Sequence, residues 1–315
     1  MNRIYLLPIA ALAVILLSSW GFHAHKLINR MAVFTLPANM AGFYKPRIDY
    51  MTEHAVDADK RCYVDTAESS RHFIDADEYG EYPFDTIPVH WTAAVEKFTE
   101  RRLLLSGILP WQINRSYYAL TKAFGEKDLP RILRHSSDIG HYLADAHVPL
   151  HTTSNYNGQK TGQVGIHAFW ESRLPELFAD RYDFWVGKAR YVNSPLDEAW
   201  RIVQESHALV DSVLNIEAAL NAAFPPDRKF GYIERNNILI KTYSDAYAGA
   251  YHDALQGMVE RRMRGAIHAI GCFWFSAWVD AGQPDIRHLT ATSSALDTIH
   301  LPPGRQKIIG REEWH

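Results

Sequence analysis

One spacing recurs along most of this chain: apolar residues three and four apart, with charged residues between them. It runs through residues 88–124, 129–148, 166–178, 195–223 and 233–279, and it is the spacing of one face of an α-helix. Strict apolar/polar alternation, the mark of a half-buried strand, is nearly absent. Helices patterned this way bury their stripes against one another, so the predicted fold class is all-α, a single compact multi-helix bundle. The last segment contains RRMRGAIHAIGCFWFSAWVDAG, apolar on most faces. That predicts a helix in the middle of the bundle, with Trp274 and Trp278 in the core.

Turn formers mark linkers at EYGEYPFDTIP (78–88) and SNYNGQKTGQVG (154–165). The N-terminus reads as a secretory signal: Arg3, then an uncharged run over residues 4–17, then Ser18 and Ser19. Residues 1–19 are therefore expected to be a cleaved signal peptide, Trp20 the first mature residue, and the protein secreted or periplasmic. The catalytic domain is expected over 20–283, followed by a tail, 284–315, draped on the surface or partly disordered. Cleavage removes one basic residue, Arg3, which takes 33 Lys+Arg against 36 Asp+Glu to 32 against 36, a net charge of −4. A surface of that sign does not suit duplex DNA. Cys62 and Cys272 are too few for a thiolate metal site, and either form one bridge or remain two thiols.

The chemistry concentrates in HYLADAHVPLH, residues 141–151. His141 and Asp145, four apart, share one helix face and can meet one ion. Pro149 stops the helix and lets His151 turn back towards a neighbouring ion. After the linker, GIHAFWES repeats the four-residue spacing with His167 and Glu171. Two His/carboxylate pairs joined by a histidine at a helix end suit imidazole and carboxylate ligation of zinc. His135 and His147 fall outside that pattern and are expected in surface or core hydrogen bonds.

These residues resemble the trinuclear zinc phosphodiesterases, the superfamily of zinc-dependent phospholipase C and the single-strand-specific zinc nucleases. The likeness runs from Trp20 to about residue 280 in five segments. It implies a bundle built around a trinuclear zinc site. One zinc would be held by Asp59, His72, His141 and Asp145, a second by His151, His167 and Glu171, and a third by Trp20 and His25, with Asp145 bridging the third to the first. Trp20 would bind through its free amine and carbonyl oxygen, so signal cleavage would create a ligand. His25 in WGFHAH matches the nuclease spacing and His23 does not. In AVDADKR both Asp57 and Asp59 are available, with Asp59 favoured by the small residue before it. On the same resemblance Asp59 and Glu171 would carry the catalytic roles. Asp138, one turn before His141, is either a second acceptor for a ligand histidine or a solvated helix residue.

The implied reaction is hydrolysis of a phosphodiester by zinc-activated hydroxide. Glu171 and the short 154–165 loop match the phospholipase C branch, whereas HFIDAD is nearer the nuclease version, in which Phe73 would stack on a base and Asp75 bond its edge. Both residues can also be packing and supporting residues. The choline-preferring enzymes place aromatics where this chain has Lys60, Arg61, Ser69 and Ser70. Those two cations either meet an anionic head group or are simply an exposed basic pair. The expected partner is thus a phosphodiester, phospholipid ahead of single-stranded nucleic acid, with transient contact to a membrane surface. Nuclease or 3'-nucleotidase activity is the alternative within the fold. A catalytically silent, zinc-stabilised binding protein is the alternative of another class.

Overall fold

The computed structural model describes residues 22–235 and 238–289. The expectations for residues 1–19, for Trp20 and for most of the tail lie outside the described residues. Seven longer helices are labelled here: α1 (Phe22–Ala32), α2 (Leu109–Glu126), α3 (Leu129–Ala146), α4 (Pro195–His207), α5 (Val210–Ala223), α6 (Asp245–Ala254) and α7 (Met258–Asp280). Short helical turns connect them. The chain is all-α and compact, as its periodicity predicts.

The apolar helix α7 runs through the centre, packed on α1, α2 and α3. Trp274 is fully buried there. Its ring stacks on Tyr44 at 4.9 Å, its indole N–H donates to the Ser136 carbonyl at 3.0 Å, and the Tyr44 hydroxyl lies 2.8 Å from Ser136 Oγ. Both polar handles are thus satisfied inside the core, the condition for burying such rings without loss. Trp278 is buried as well. Helices α2 and α3 form an antiparallel pair. Lys127 ends α2 in the left-handed conformation, and Asp128 caps α3 by accepting from Arg131 N–H at 3.1 Å.

Three stretches differ from their periodicity. The run at 88–124 is three helices, Trp91–Phe98, Glu100–Leu105 and α2. Thr99 and Gly107 break it, both with positive φ. The run at 195–223 breaks at Ala208 and Leu209 into α4 and α5. The run at 233–279 begins not as helix but as an antiparallel hairpin, β1 (Phe230–Arg235) and β2 (Ile238–Tyr243). Phe, Tyr, Ile and Thr are strand formers, and FGYIERNNILIKTY is too short to separate the two periods. The linker at 78–88 also holds a helical turn, Pro83–Thr86.

Both cysteines are free thiols. Past α7 the tail stays attached as far as it is described. The Trp278 indole donates to the Pro284 carbonyl, Ile286 is buried, and Arg47 donates to the Leu289 carbonyl.

Gly107 also positions the functional region. A Cβ there would lie 2.1 Å from the Phe73 carbonyl oxygen, and φ is +84°. That close approach lets Ile108 N–H reach Ser70 O at 2.7 Å and Leu109 N–H reach Phe73 O at 3.1 Å, which fastens residues 70–73 to the start of α2. Gly107→Ala is therefore expected to destabilise the chain by about 2–4 kcal/mol, from left-handed backbone strain plus overpacking. A shift of the urea midpoint at constant slope measures it.

Candidate metal centre

Six segments bring eight ligand-type side chains to one buried place. His25 comes from α1, and Asp59 from the short helix Asp57–Cys62. His72 follows the turn Ser69–Arg71; α3 supplies His141 and Asp145. His151 sits on the turn Pro149–Thr152 that Pro149 starts. His167 and Glu171 ride the segment from Ile166 to Phe178, which widens into a π-turn over Phe169–Arg173 around Glu171. Such wide turns inside helices gather at functional sites. All eight side chains are buried.

They form three groups able to hold a metal ion: Asp59, His72 and His141; His25, His141 and Asp145; His151, His167 and Glu171. The ambiguity at AVDADKR is resolved by placement. Asp59 Oδ1 lies 3.2 Å from His141 Nε2, whereas Asp57 is spent on His54 at 2.6 Å and Lys60 at 2.9 Å. His25 is buried in the site and His23 is exposed. Asp145 spans two groups, with Oδ2 3.0 Å from His72 Nδ1 and 3.3 Å from His141 Nε2, and Oδ1 3.4 Å from His25 Nε2. Glu171 does the same on the other side, a role its sequence did not suggest. Its Oε2 lies 2.8 Å from His167 Nε2 and 3.2 Å from His151 Nε2, and its Oε1 lies 3.1 Å from His25 Nε2. His25 thus meets one oxygen from each bridging carboxylate.

The hydrogen bonds behind the rings test whether a cation fits. His141 Nδ1 lies 2.8 Å from the Ala55 carbonyl and His151 Nδ1 2.7 Å from the His72 carbonyl. A carbonyl only accepts, so each Nδ1 carries a proton, and in the neutral ring Nε2 is left as a bare acceptor. Those bare nitrogens face carboxylate oxygens, and His151 Nε2 also faces His167 Nε2 at 3.0 Å. Acceptors that close need either extra protons or a metal between them. Borderline nitrogen and hard oxygen donors at these spacings suit zinc.

Electrostatics shows the proton version of the same problem. Burial opposes the charge on Glu171, but His151, His167 and His25 hold its carboxyl well below the ordinary range. Asp145 is lowered against burial by His141 and His151. Burial would lower His141, yet Asp145 and Asp59 raise it, while Cys62 and Asp145 lift His72 well above the usual imidazole value.

Asp138 does not contact a ligand histidine; it accepts from Arg61 at 2.9 Å. Arg61 is not an exposed cation, because it also donates to Glu68 at 3.2 Å and to the Tyr142 hydroxyl at 3.3 Å. Phe73 and Asp75 are both buried. His147 is a core residue bonded to the Leu143 carbonyl at 2.7 Å, held neutral by burial and by Arg262. His135 is pushed down to about 4 by burial and by Arg134. Glu68, fully buried beside His72, escaped the sequence reading. Its only signal was a four-residue spacing to His72 with Arg71 between.

No protein-family profile matches the chain, and no curated protein matches it.

The sign of the pH dependence follows from these directions. Raised His72 and His141 contribute stability that is full below about pH 6.5 and lost as pH rises through their folded values. Depressed Asp145 and Glu171 contribute stability that is full above about pH 4.3 and lost as pH falls through theirs. Metal-free protein is therefore expected to melt highest between those limits and to weaken as the medium turns alkaline. Zinc, which needs bare imidazoles, should raise the melting temperature most above pH 7. Thermal melts across pH, with chelator and with zinc, check both slopes.

Proposed function

We propose that this chain is an exported zinc-dependent phosphodiester hydrolase of the phospholipase C type, holding three zinc ions. The convergence of eight buried ligand side chains in three linked groups carries this reading. A structural zinc needs four closed ligands, and nothing in folding alone calls for two carboxylates that each span two groups. Asp59, His72, His141 and Asp145 would hold one ion, His151, His167 and Glu171 a second, and His25 with Trp20 a third. Bound there, zinc supplies Lewis-acid activation of water and neutralises phosphate oxygens during in-line displacement. Asp145 and Glu171 fix the spacing of the groups through the backbones of α3 and the π-turn. Asp59, carried on a short helix, would besides ligation accept the proton of the attacking water.

For the substrate, phospholipid stands ahead of single-stranded nucleic acid. Phe73 is fully buried, so its ring offers no face on which a base could stack. Arg61 is committed to Asp138, Glu68 and Tyr142, which leaves Lys60, itself paired with Asp57, as the nearby exposed cation. No helix among the described residues is long and apolar enough to cross a membrane, and contact with lipid would be transient and at the surface.

Purified protein is expected to carry two to three zinc ions by elemental mass spectrometry and to cleave a nitrophenyl phosphodiester. His151→Ala should lower both zinc content and turnover, the latter by at least about 100-fold if the ion is catalytic. Metal-free wild type that still hydrolyses phosphodiesters would end this reading.

The role of Trp20 has its own test. A peptide-bonded nitrogen is a poor ligand, whereas a free amine is a good one. A chain beginning Met-Trp20 should carry about one zinc fewer than a chain beginning at Trp20 and lose most of its activity at unchanged helical circular dichroism. Equal zinc and equal turnover would remove the amine from the site.

A further inference from the structure

Four of the five histidines in the centre, His25, His141, His151 and His167, turn Nε2 towards it. His72 is reversed. Its Nδ1 faces inward, 3.0 Å from Asp145 Oδ2, 3.1 Å from His141 Nε2 and 3.6 Å from Asp59 Oδ1. Its Nε2 faces outward, 3.5 Å from Cys62 Sγ and 3.8 Å from Glu68 Oε1. For His141 and His151 the outer nitrogen rests on a backbone carbonyl, a neutral acceptor set by the chain path. For His72 it faces a thiol and a carboxylate.

That carboxylate is fully buried, a position tolerated only with strong partners. Arg61 and Arg71 both donate to Glu68, and so does the Tyr142 hydroxyl from α3. Asp138 in turn holds Arg61 at 2.9 Å. The arrangement keeps an ionised acceptor behind one ring of the centre, and α3 carries both the ring's inner partner, Asp145, and the supports of its outer one.

We propose that Glu68 is a positioning residue for metal binding. Its negative charge, 3.8 Å from Nε2 and so too far for a direct hydrogen bond, favours the His72 proton on that nitrogen, which presents Nδ1 bare to the group of Asp59, His141 and Asp145. The inference rests on zinc filling that group, as proposed above. An acceptor behind a ligand imidazole fixes its tautomer and strengthens it as a donor, and losing one weakens metal affinity by roughly 10- to 100-fold.

The experiment has two arms. In zinc-loaded wild type, long-range proton–nitrogen correlation of the histidine rings should show one metal-bound ring joined through Nδ1, the others through Nε2. Bound rings that all use Nε2 would overturn the inference while leaving the proposed function standing. In the second arm, Glu68→Gln keeps the shape and removes the charge. Titrated with a competing chelator, it should release one zinc at roughly 10- to 100-fold lower chelator concentration than wild type, with the remaining zinc unmoved and the Nδ1-bound ring shifted. Cys62→Ala should leave the release curve within about twofold of wild type. An unchanged curve in a folded Glu68→Gln, equal loosening of every ion, or the loosening appearing in Cys62→Ala instead would each overturn the assignment to Glu68. If Glu68→Gln does not fold, the wild-type ring correlation still decides. Wild type that takes up no zinc would overturn the proposed function and this inference together.

Discussion

Three carboxylates and five imidazoles share one buried interior, with acceptor atoms facing acceptor atoms at about hydrogen-bond distance. Such a cluster repels itself unless positive charge fills it, since isolated carboxylates in an apolar interior cost several kcal/mol each. The rest of the molecule is arranged to hold that cluster in place. Helix α3 supplies two members and leans on α7, whose Trp274 fastens it at Ser136 together with Tyr44 of the short helix Ala38–Tyr44, the two rings stacked. Helix α1 lies close to α3 because Gly140 has no side chain where Asn29 sits. That brings the His25 and His141 rings into a stack at 4.2 Å.

The segment from Ser69 to Asp75 is fastened on two sides. Backbone bonds tie it to Gly107's neighbours on one side and to His151 on the other, where Ile74 N–H donates to the His151 carbonyl at 2.9 Å and the His151 ring donates back to the His72 carbonyl. His72 and His151 therefore cannot move independently, although they belong to different groups. The Glu68, Arg61 and Asp138 network adds a charged anchor beneath the same segment. Rigid first contacts supported from behind are what keep a metal site selective and its geometry constant.

The bridging carboxylates give the centre its economy of parts. Asp145 and Glu171 each lie between His25 and another pair of imidazoles, so that eight side chains make up three linked groups. A four-residue helical spacing explains how His141 reaches Asp145. The same spacing accounts for His167 and Glu171 but not for the reach of Glu171 to His25, which lies on another helix; the backbone there widens over Phe169–Arg173.

Much of this was legible in residue order. Helical periodicity marked the bundle, the apolar run around Trp274 marked its centre, and the paired spacings His141/Asp145 and His167/Glu171 marked four members of the buried cluster, because neighbours one helical turn apart meet whatever the rest of the chain does. Local geometry could not choose Asp59 over Asp57, which differ only in which side of a six-residue helix faces inward. Nor could it show that Asp138 belongs to Arg61, that Phe73 is sealed in the core, that residues 230–243 form a hairpin, or that Glu68 stands behind His72. Each of those depends on contacts between residues remote in the chain or on burial, and these are set by how whole helices pack. The sequence by itself determined the helices and the kinds of ligand they carry; tertiary packing decided which oxygens and nitrogens meet, because burial and distance are properties of the assembled bundle and not of any one segment.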